Sequence, residues 1–189
     1  MNRRHFLKAS LAAMPFALRS GAAELAQSSD DRPGKGFRVA SKEDRYQEEL
    51  LIMGGSFDLK VSAKDTGGGF CLYDTVRKSK GGPALHLHHS QEEWFYVIRG
   101  EFVVQVGNET MRLYPGDSAL APRKIPHAFA KVSEDEGQLL IMFQPAGRME
   151  DFFRQMAKFG PTIPKDQQTL WRELWEQYGM QMVGPPLKF

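Results

Sequence analysis

From Phe57 to Phe143 the chain is divided into short runs rich in Val, Phe, Tyr and Ile, each closed by Gly, Pro, Asn or Asp. Runs of that length are too short for packed helices and suit β-strands. The pattern predicts strands over 57–62, 70–76, 84–88, 94–99, 101–106, 109–113, 118–121, 127–132 and 138–143. Gly107-Asn108 lies between Val106 and Glu109 as a two-residue hairpin signal. Pro115-Gly116-Asp117 marks a turn. So many short strands at this spacing predict an all-β antiparallel barrel or sandwich, and the absence of an internal repeat predicts one barrel rather than two.

The flanks differ in character. After Phe143 the period becomes helical: a helix is expected over 149–159 with Phe152, Phe153 and Met156 on one side, broken by Pro161 and Pro164. A second is expected from a cap at Asp166 through Tyr178, with Leu170, Leu174 and Tyr178 in line, Trp171 and Trp175 beside them, and Gly179 ending it. This aromatic stripe is expected to pack against the barrel, with a cover over the barrel mouth or a partner subunit as the alternative. Upstream, Ser41 with Asp44 opens an acidic stretch to Leu51 that reads as a short helix, ended by Gly54-Gly55.

The N-terminus reads as an address rather than as fold. Arg3-Arg4 precedes Phe6-Leu7 and Lys8, then a modest apolar stretch over 9–18, then small residues at Gly21-Ala22-Ala23. This layout resembles a twin-arginine export signal and implies a periplasmic or secreted protein. The apolar stretch is too short to span a bilayer, so no membrane anchor is expected after cleavage. The expected organisation is a signal peptide at 1–23, a Gly/Pro/Ser-rich linker at 24–36, a barrel at 37–147 and a helical extension at 148–189.

Charge excludes some partners. With 25 basic and 23 acidic residues, the totals show no nucleic-acid patch. Losing residues 1–23 removes Arg3, Arg4, Lys8 and Arg19 and no acid, so the formal +2 becomes −2. A single cysteine, Cys71, precludes an internal disulfide and reads as a buried strand residue.

The histidines concentrate the chemistry. Of five, one is in the leader, and His86, His88, His89 and His127 sit in two short segments. On a strand, i and i+2 share a face, so His86 and His88 are expected to point inward with Leu87 between them pointing out. Glu93 returns on the next strand and His127 on a later one. Three imidazoles and one carboxylate suit a divalent transition metal (Fe, Mn, Ni, Co, Cu or Zn) rather than calcium. Glu92 is the competing carboxylate, and His89 reads as a surface loop residue. Phe95, Val97 and Phe129 are expected to give the ion an apolar surround.

These residues carry a family resemblance. The spacing His86-x-His88-x(4)-Glu93-x(6)-Gly100 resembles the first cupin motif, and Gly116-x(5)-Pro122-x(4)-His127 resembles the second. The resemblance favours Glu93, which has the motif's six residues between it and Gly100, where Glu92 has seven. The tail from Tyr178-Gly179 to Leu187 is similar to that of small quercetin-dioxygenase-like cupins. The sequence departs from the pattern at Gly81, one residue nearer His86 than usual, at Lys124, where glycine is common, and at Lys131, where asparagine is common.

The resemblance implies a single jelly-roll barrel with C-terminal helices. His86, His88, Glu93 and His127 would be its metal ligands, and Glu93 would also accept a substrate proton. The implied activity is metal-dependent dioxygenation of a small hydroxylated aromatic, flavonol-like compound. The alternatives are a non-oxidative isomerase, lyase or hydrolase, and a non-catalytic periplasmic ligand-binding protein. A homodimer is implied by the same analogy.

Overall fold

The computed structural model describes residues 34–160 and 165–189. The export signal, all but the end of the linker, and the Pro161 and Pro164 breaks lie outside the described residues. The strands, in chain order, are β1 (Leu51–Ile52), β2 (Gly55–Val61), β3 (Cys71–Arg77), β4 (Ala84–His88), β5 (Glu92–Arg99), β6 (Phe102–Val106), β7 (Glu109–Leu113), β8 (Ser118–Ala121), β9 (His127–Lys131), β10 (Gly137–Gln144) and β11 (Met180–Pro186). Helices α1 (Met149–Ala157) and α2 (Gln168–Gln177) fall between β10 and β11.

The strands form two antiparallel sheets, ordered β1-β2-β3-β10-β5-β8 and β11-β4-β9-β6-β7. In chain order only β1 to β3 and β6 to β7 stay within one sheet; every other step passes from one sheet to the other. This is the jelly-roll form of the expected all-β barrel. Val106 and Glu109 pair across Gly107-Asn108, and Asp117 N–H donates to Tyr114 O at 2.9 Å, so the hairpin and the turn stand where the sequence predicts them.

Alternation fills the space between the sheets. Phe95 and Val97 of β5, Tyr73 of β3, and Leu139, Ile141 and Phe143 of β10 are all buried, with their strand neighbours more exposed. Helix α1 closes one end: Phe153 packs on Tyr73 and Phe57 at ring-centroid distances of 4.8 and 5.0 Å. Glu150 fastens its first turn, accepting from Ser62 Oγ at 2.9 Å and Ala63 N–H at 2.6 Å.

Three local expectations are corrected. Residues 41–50 form turns, not a helix. Asp44 accepts from Tyr46 N–H, Glu48 N–H and, on β2, Leu59 N–H, and a carboxylate that satisfies nearby backbone donors favours turns over helix. Asp166 does not cap α2, which follows a 3-10 turn over Lys165–Gln167 and has no side-chain cap. The buried face of α2 runs through Trp171, Trp175 and Tyr178, while Leu170 is 55 % exposed. The i, i+4, i+7 spacing of the three large rings outcompetes the leucine row. The tail beyond Gly179 is a strand, β11, and its pairing with β4 was not anticipated.

The motif departures have structural explanations. Lys124 takes φ +65°, a left-handed conformation that favours glycine, and its N–H donates to His88 O at 2.7 Å. Lys131 is fully buried, its Nζ donating to Ser133 O at 2.7 Å and Lys78 O at 3.2 Å. A Cβ on Gly82 would stand 1.7 Å from Phe129 O, so Gly82 meets the closest backbone approach in this segment.

Candidate metal centre

The site lies between the sheets. On β4, alternation turns His86 and His88 inward and leaves Leu87 partly exposed. His127 opens β9 and is the register partner of His86. From the opposite sheet, Glu93 of β5 is 3 % exposed, while Glu92 faces away and pairs with Arg123 on the surface. The structure therefore brings Glu93, not Glu92, to the histidines. His89 is exposed, as expected.

One carboxylate oxygen is the meeting point. Glu93 Oε2 lies 2.9 Å from His127 Nε2, 3.1 Å from His88 Nε2 and 3.7 Å from His86 Nε2. One potential ligand atom from each of the four side chains lies within 4.8 Å of the others, and all four are buried. His86 Nδ1 stands 2.8 Å from Ala84 O and His127 Nδ1 2.8 Å from Ile125 O. A carbonyl only accepts, so both Nδ1 atoms carry protons, and a neutral ring then presents a bare Nε2 to the centre.

Bare nitrogens and a carboxylate oxygen repel at these distances unless a cation lies among them. A proton or a metal ion meets that need. The backbone bonds at Nδ1 are the kind that orient metal-binding imidazoles, and the donor set is that of a borderline transition metal. The four residues fit a metal site.

Without an ion, protons adjust to the same geometry. Burial disfavours the Glu93 carboxylate, but hydrogen bonds with His127, His86 and His88 outweigh it and hold the carboxyl well below its ordinary range. Burial lowers His86. Burial also opposes charge on His127, yet its hydrogen bond to Glu93 prevails and raises it. In the metal-free cluster the ionised Glu93 carboxylate thus favours protonation of His127.

A cavity of about 50 Å³ adjoins the cluster. That is room for a few waters. Phe129, Phe143, Phe152, Trp175, Met180 and Arg77 contribute to its wall beside His86, His88 and Glu93. Trp175 stands edge-on to His86 with ring centroids 4.8 Å apart. Of the expected apolar surround, Phe129 lines the cavity, whereas Phe95 and Val97 are buried in the core cluster and are not among its wall residues.

Two wall residues escaped the sequence. Trp175 reads there first as packing, within a stripe whose second reading is a cover over the barrel mouth, and is not singled out as a wall of the site. Arg77 continues the inward phase Cys71, Tyr73, Thr75 by one more step, beyond the predicted end of its strand. A charged residue on an inward phase was the available signal. Cys71 is fully buried, and burial raises its thiol far above the ordinary range, as suits a core residue.

Known proteins resemble the chain in this region. The family model described as Cupin domain matches residues 74–143. An uncharacterized protein of Methanocaldococcus jannaschii is 28 % identical over 67 residues, 35 % of this chain and 54 % of that protein. One of Streptomyces coelicolor is 33 % identical over 57 residues, 30 % of this chain and 53 % of its own length. The chain thus spans about half the length of the curated relatives it matches. Among solved structures, ectoine synthase from P. lautus superposes with a TM-score of 0.51 at 17 % identity, over 82 % of this chain and 94 % of that one, a likeness of fold. The two-sheet fold and the buried His86, His88, Glu93 and His127 cluster are in keeping with the match of the Cupin domain model over residues 74–143.

Proposed function

We propose that the protein is a metal-dependent dioxygenase acting on a small hydroxylated aromatic compound, with one divalent transition metal on His86, His88, Glu93 and His127. The observation that carries this reading is the convergence of three ring nitrogens and one carboxylate oxygen at the wall of an aromatic-lined cavity. Structural metal sites tend to be closed by protein ligands, and a cavity against the ligands favours a substrate instead. The bound ion would supply Lewis acidity and redox chemistry.

The protein's own groups prepare the rest. The Nδ1 bonds to Ala84 O and Ile125 O hold His86 and His127 in one tautomer and orientation. Glu93, ionised in its ordinary state, accepts the proton of the substrate's hydroxyl group and makes the ring electron-rich. Phe129, Phe143 and Trp175 offer ring faces and edges to an aromatic substrate and exclude water.

The test is oxygen uptake by protein reloaded with each candidate metal, using one-ring phenols and flavonols with and without O2. Uptake coupled to loss of one of these hydroxylated aromatic compounds supports the proposal. Turnover indifferent to O2 assigns an isomerase or lyase instead, and tight binding without turnover assigns ligand capture. We further propose that this activity is exported through the twin-arginine leader and that the barrel works as a homodimer, which sedimentation of the mature chain tests.

A further inference from the structure

The cavity beside the metal ligands is small and apolar. Its volume is about 50 Å³, and apolar atoms form nearly all of the surface turned to it. Phe129, Ile141, Met149, Met156 and Met180 belong to its wall. Three polar atoms of wall residues, Arg77 Nε, Trp175 Nε1 and His88 Nδ1, are buried with next to no surface to offer a guest.

Size and polarity together select the occupant. An apolar cavity of roughly 150 Å³ stays free of water and takes benzene or xenon. A space about a third as large suits a molecule of two heavy atoms, little bigger than a water's share of the liquid, roughly 30 Å³. Water gains little there, because it needs several polar partners to be held and the wall turns few inward. A non-polar diatomic gives up no hydrogen bonds on entering.

We infer that this cavity is a binding site for a small non-polar gas molecule, molecular oxygen, held beside the metal position. The inference rests on the reading of the cluster as the metal centre of a dioxygenase. It assigns the space as it stands to the smaller of the two reactants. His86, His88 and Glu93 belong to the same wall, so oxygen is stored next to the ligands of the ion rather than taken directly from solvent. Holding a reactant beside the reacting centre raises its effective concentration there.

Methionine methyl groups are built-in reporters. Met149, Met156 and Met180 line the cavity and are 1, 3 and 1 % exposed, whereas Met111, Met142 and Met182 lie outside its wall and are partly exposed. The sample is the full-length mature protein with methyl-labelled methionine, zinc-loaded because zinc has no redox chemistry and leaves O2 intact. A two-atom ligand binds weakly, on the order of millimolar, so the probe is O2 under pressure, with N2 at the same pressure as the diamagnetic reference. Oxygen is paramagnetic and broadens the resonances of methyl groups near it. Oxygen that only dissolves in the solvent broadens the partly exposed methyls most. A site in the cavity reverses that order, and Met149, Met156 and Met180 are expected to broaden at least about twofold more than the other three.

Met156→Phe and Ile141→Phe each fill the space with a larger side chain, and two variants are made because overpacking a core destabilises some of them. In a variant that keeps wild-type metal content, the excess broadening at Met149 and Met180 is expected to vanish. With the active metal, its KM for oxygen is expected to rise at least about threefold. Broadening that follows exposure overturns the inference, as does cavity broadening that survives filling. An active enzyme whose KM for oxygen stays constant once the broadening is lost also overturns it. Broadening that vanishes on filling, in a protein that consumes no O2 with any metal, keeps the gas site and refutes the dioxygenase.

Discussion

His86 and His127 are register partners on β4 and β9, their ring centroids 4.5 Å apart, and each has its Nδ1 2.8 Å from the carbonyl two residues earlier in its own chain segment. The backbone bonds fix both tautomers without help from any other side chain. Two rings locked in this way face a carboxylate from the opposite sheet, so the two sheets meet chemically at this point.

Ligand substitutions should separate the two neighbouring glutamates. Glu93→Gln and His127→Ala are expected to lower metal affinity by roughly 100-fold or more, since even outer-shell losses cost about 10–100-fold. Glu92→Gln, on the outer face with Arg123, should leave metal content at the wild-type level. Metal-to-protein ratios after dialysis check this, and a loss at Glu92 equal to that at Glu93 would refute the assignment.

The acid–base state of the cluster predicts opposite pH trends with and without metal. The Glu93 carboxyl is depressed, so its contribution is present above its ordinary 4.5 and is lost as pH falls through the folded-state value. His127 is raised, so its contribution is present below its ordinary 6.5 and is lost as pH rises through the folded-state value. Metal-free protein therefore loses this stabilisation toward alkaline pH, while metal binding gains as the ligands lose protons. The Tm gap between loaded and metal-free protein should widen from about pH 5.5 to about pH 8. A constant gap contradicts the proposed ligand set.

Gly82→Ala should be among the most damaging small substitutions. The added Cβ would lie 1.7 Å from Phe129 O, a backbone atom two residues past His127, and cannot be relieved by a rotamer change. A loss of about 3 kcal/mol or more in urea unfolding is expected, in the range of severe steric mutations. Stability within about 0.5 kcal/mol of wild type would show that the strands separate freely there.

Lys124→Gly should do the reverse. Lys124 holds φ +65° in the turn that donates to His88 O. Relief of left-handed strain, less the extra unfolded-chain freedom of glycine, is expected to stabilise by up to about 1 kcal/mol with metal content unchanged. Denaturant midpoints measure it, and a destabilised variant would mean that the lysine side chain contributes more than its backbone costs.

Replacing Arg3 and Arg4 together by lysine should retain the precursor in the cytoplasm. Fractionation of cells expressing the two forms reads this directly. Equal amounts outside the cytoplasm for both would end the twin-arginine proposal.

The strand pattern, the hairpin at Gly107-Asn108 and the inward phase of His86, His88 and Glu93 were legible from residue order, because strand alternation is a local property with a period of two. The clustering of His86, His88 and Glu93 with His127 was legible from the spacing of the motifs, which also favoured Glu93 over Glu92. Other features depended on partners far along the chain. Asp44 turned an expected helix into turns by binding Leu59 N–H on β2. Residues 180–186 became a strand because β4 offered an edge. Trp175 became a cavity wall when α2 set it edge-on to His86. Arg77 was left without a carboxylate partner only when the barrel closed around it. Which groups remain unpaired in the interior is decided by packing among distant segments, and local sequence does not encode that directly.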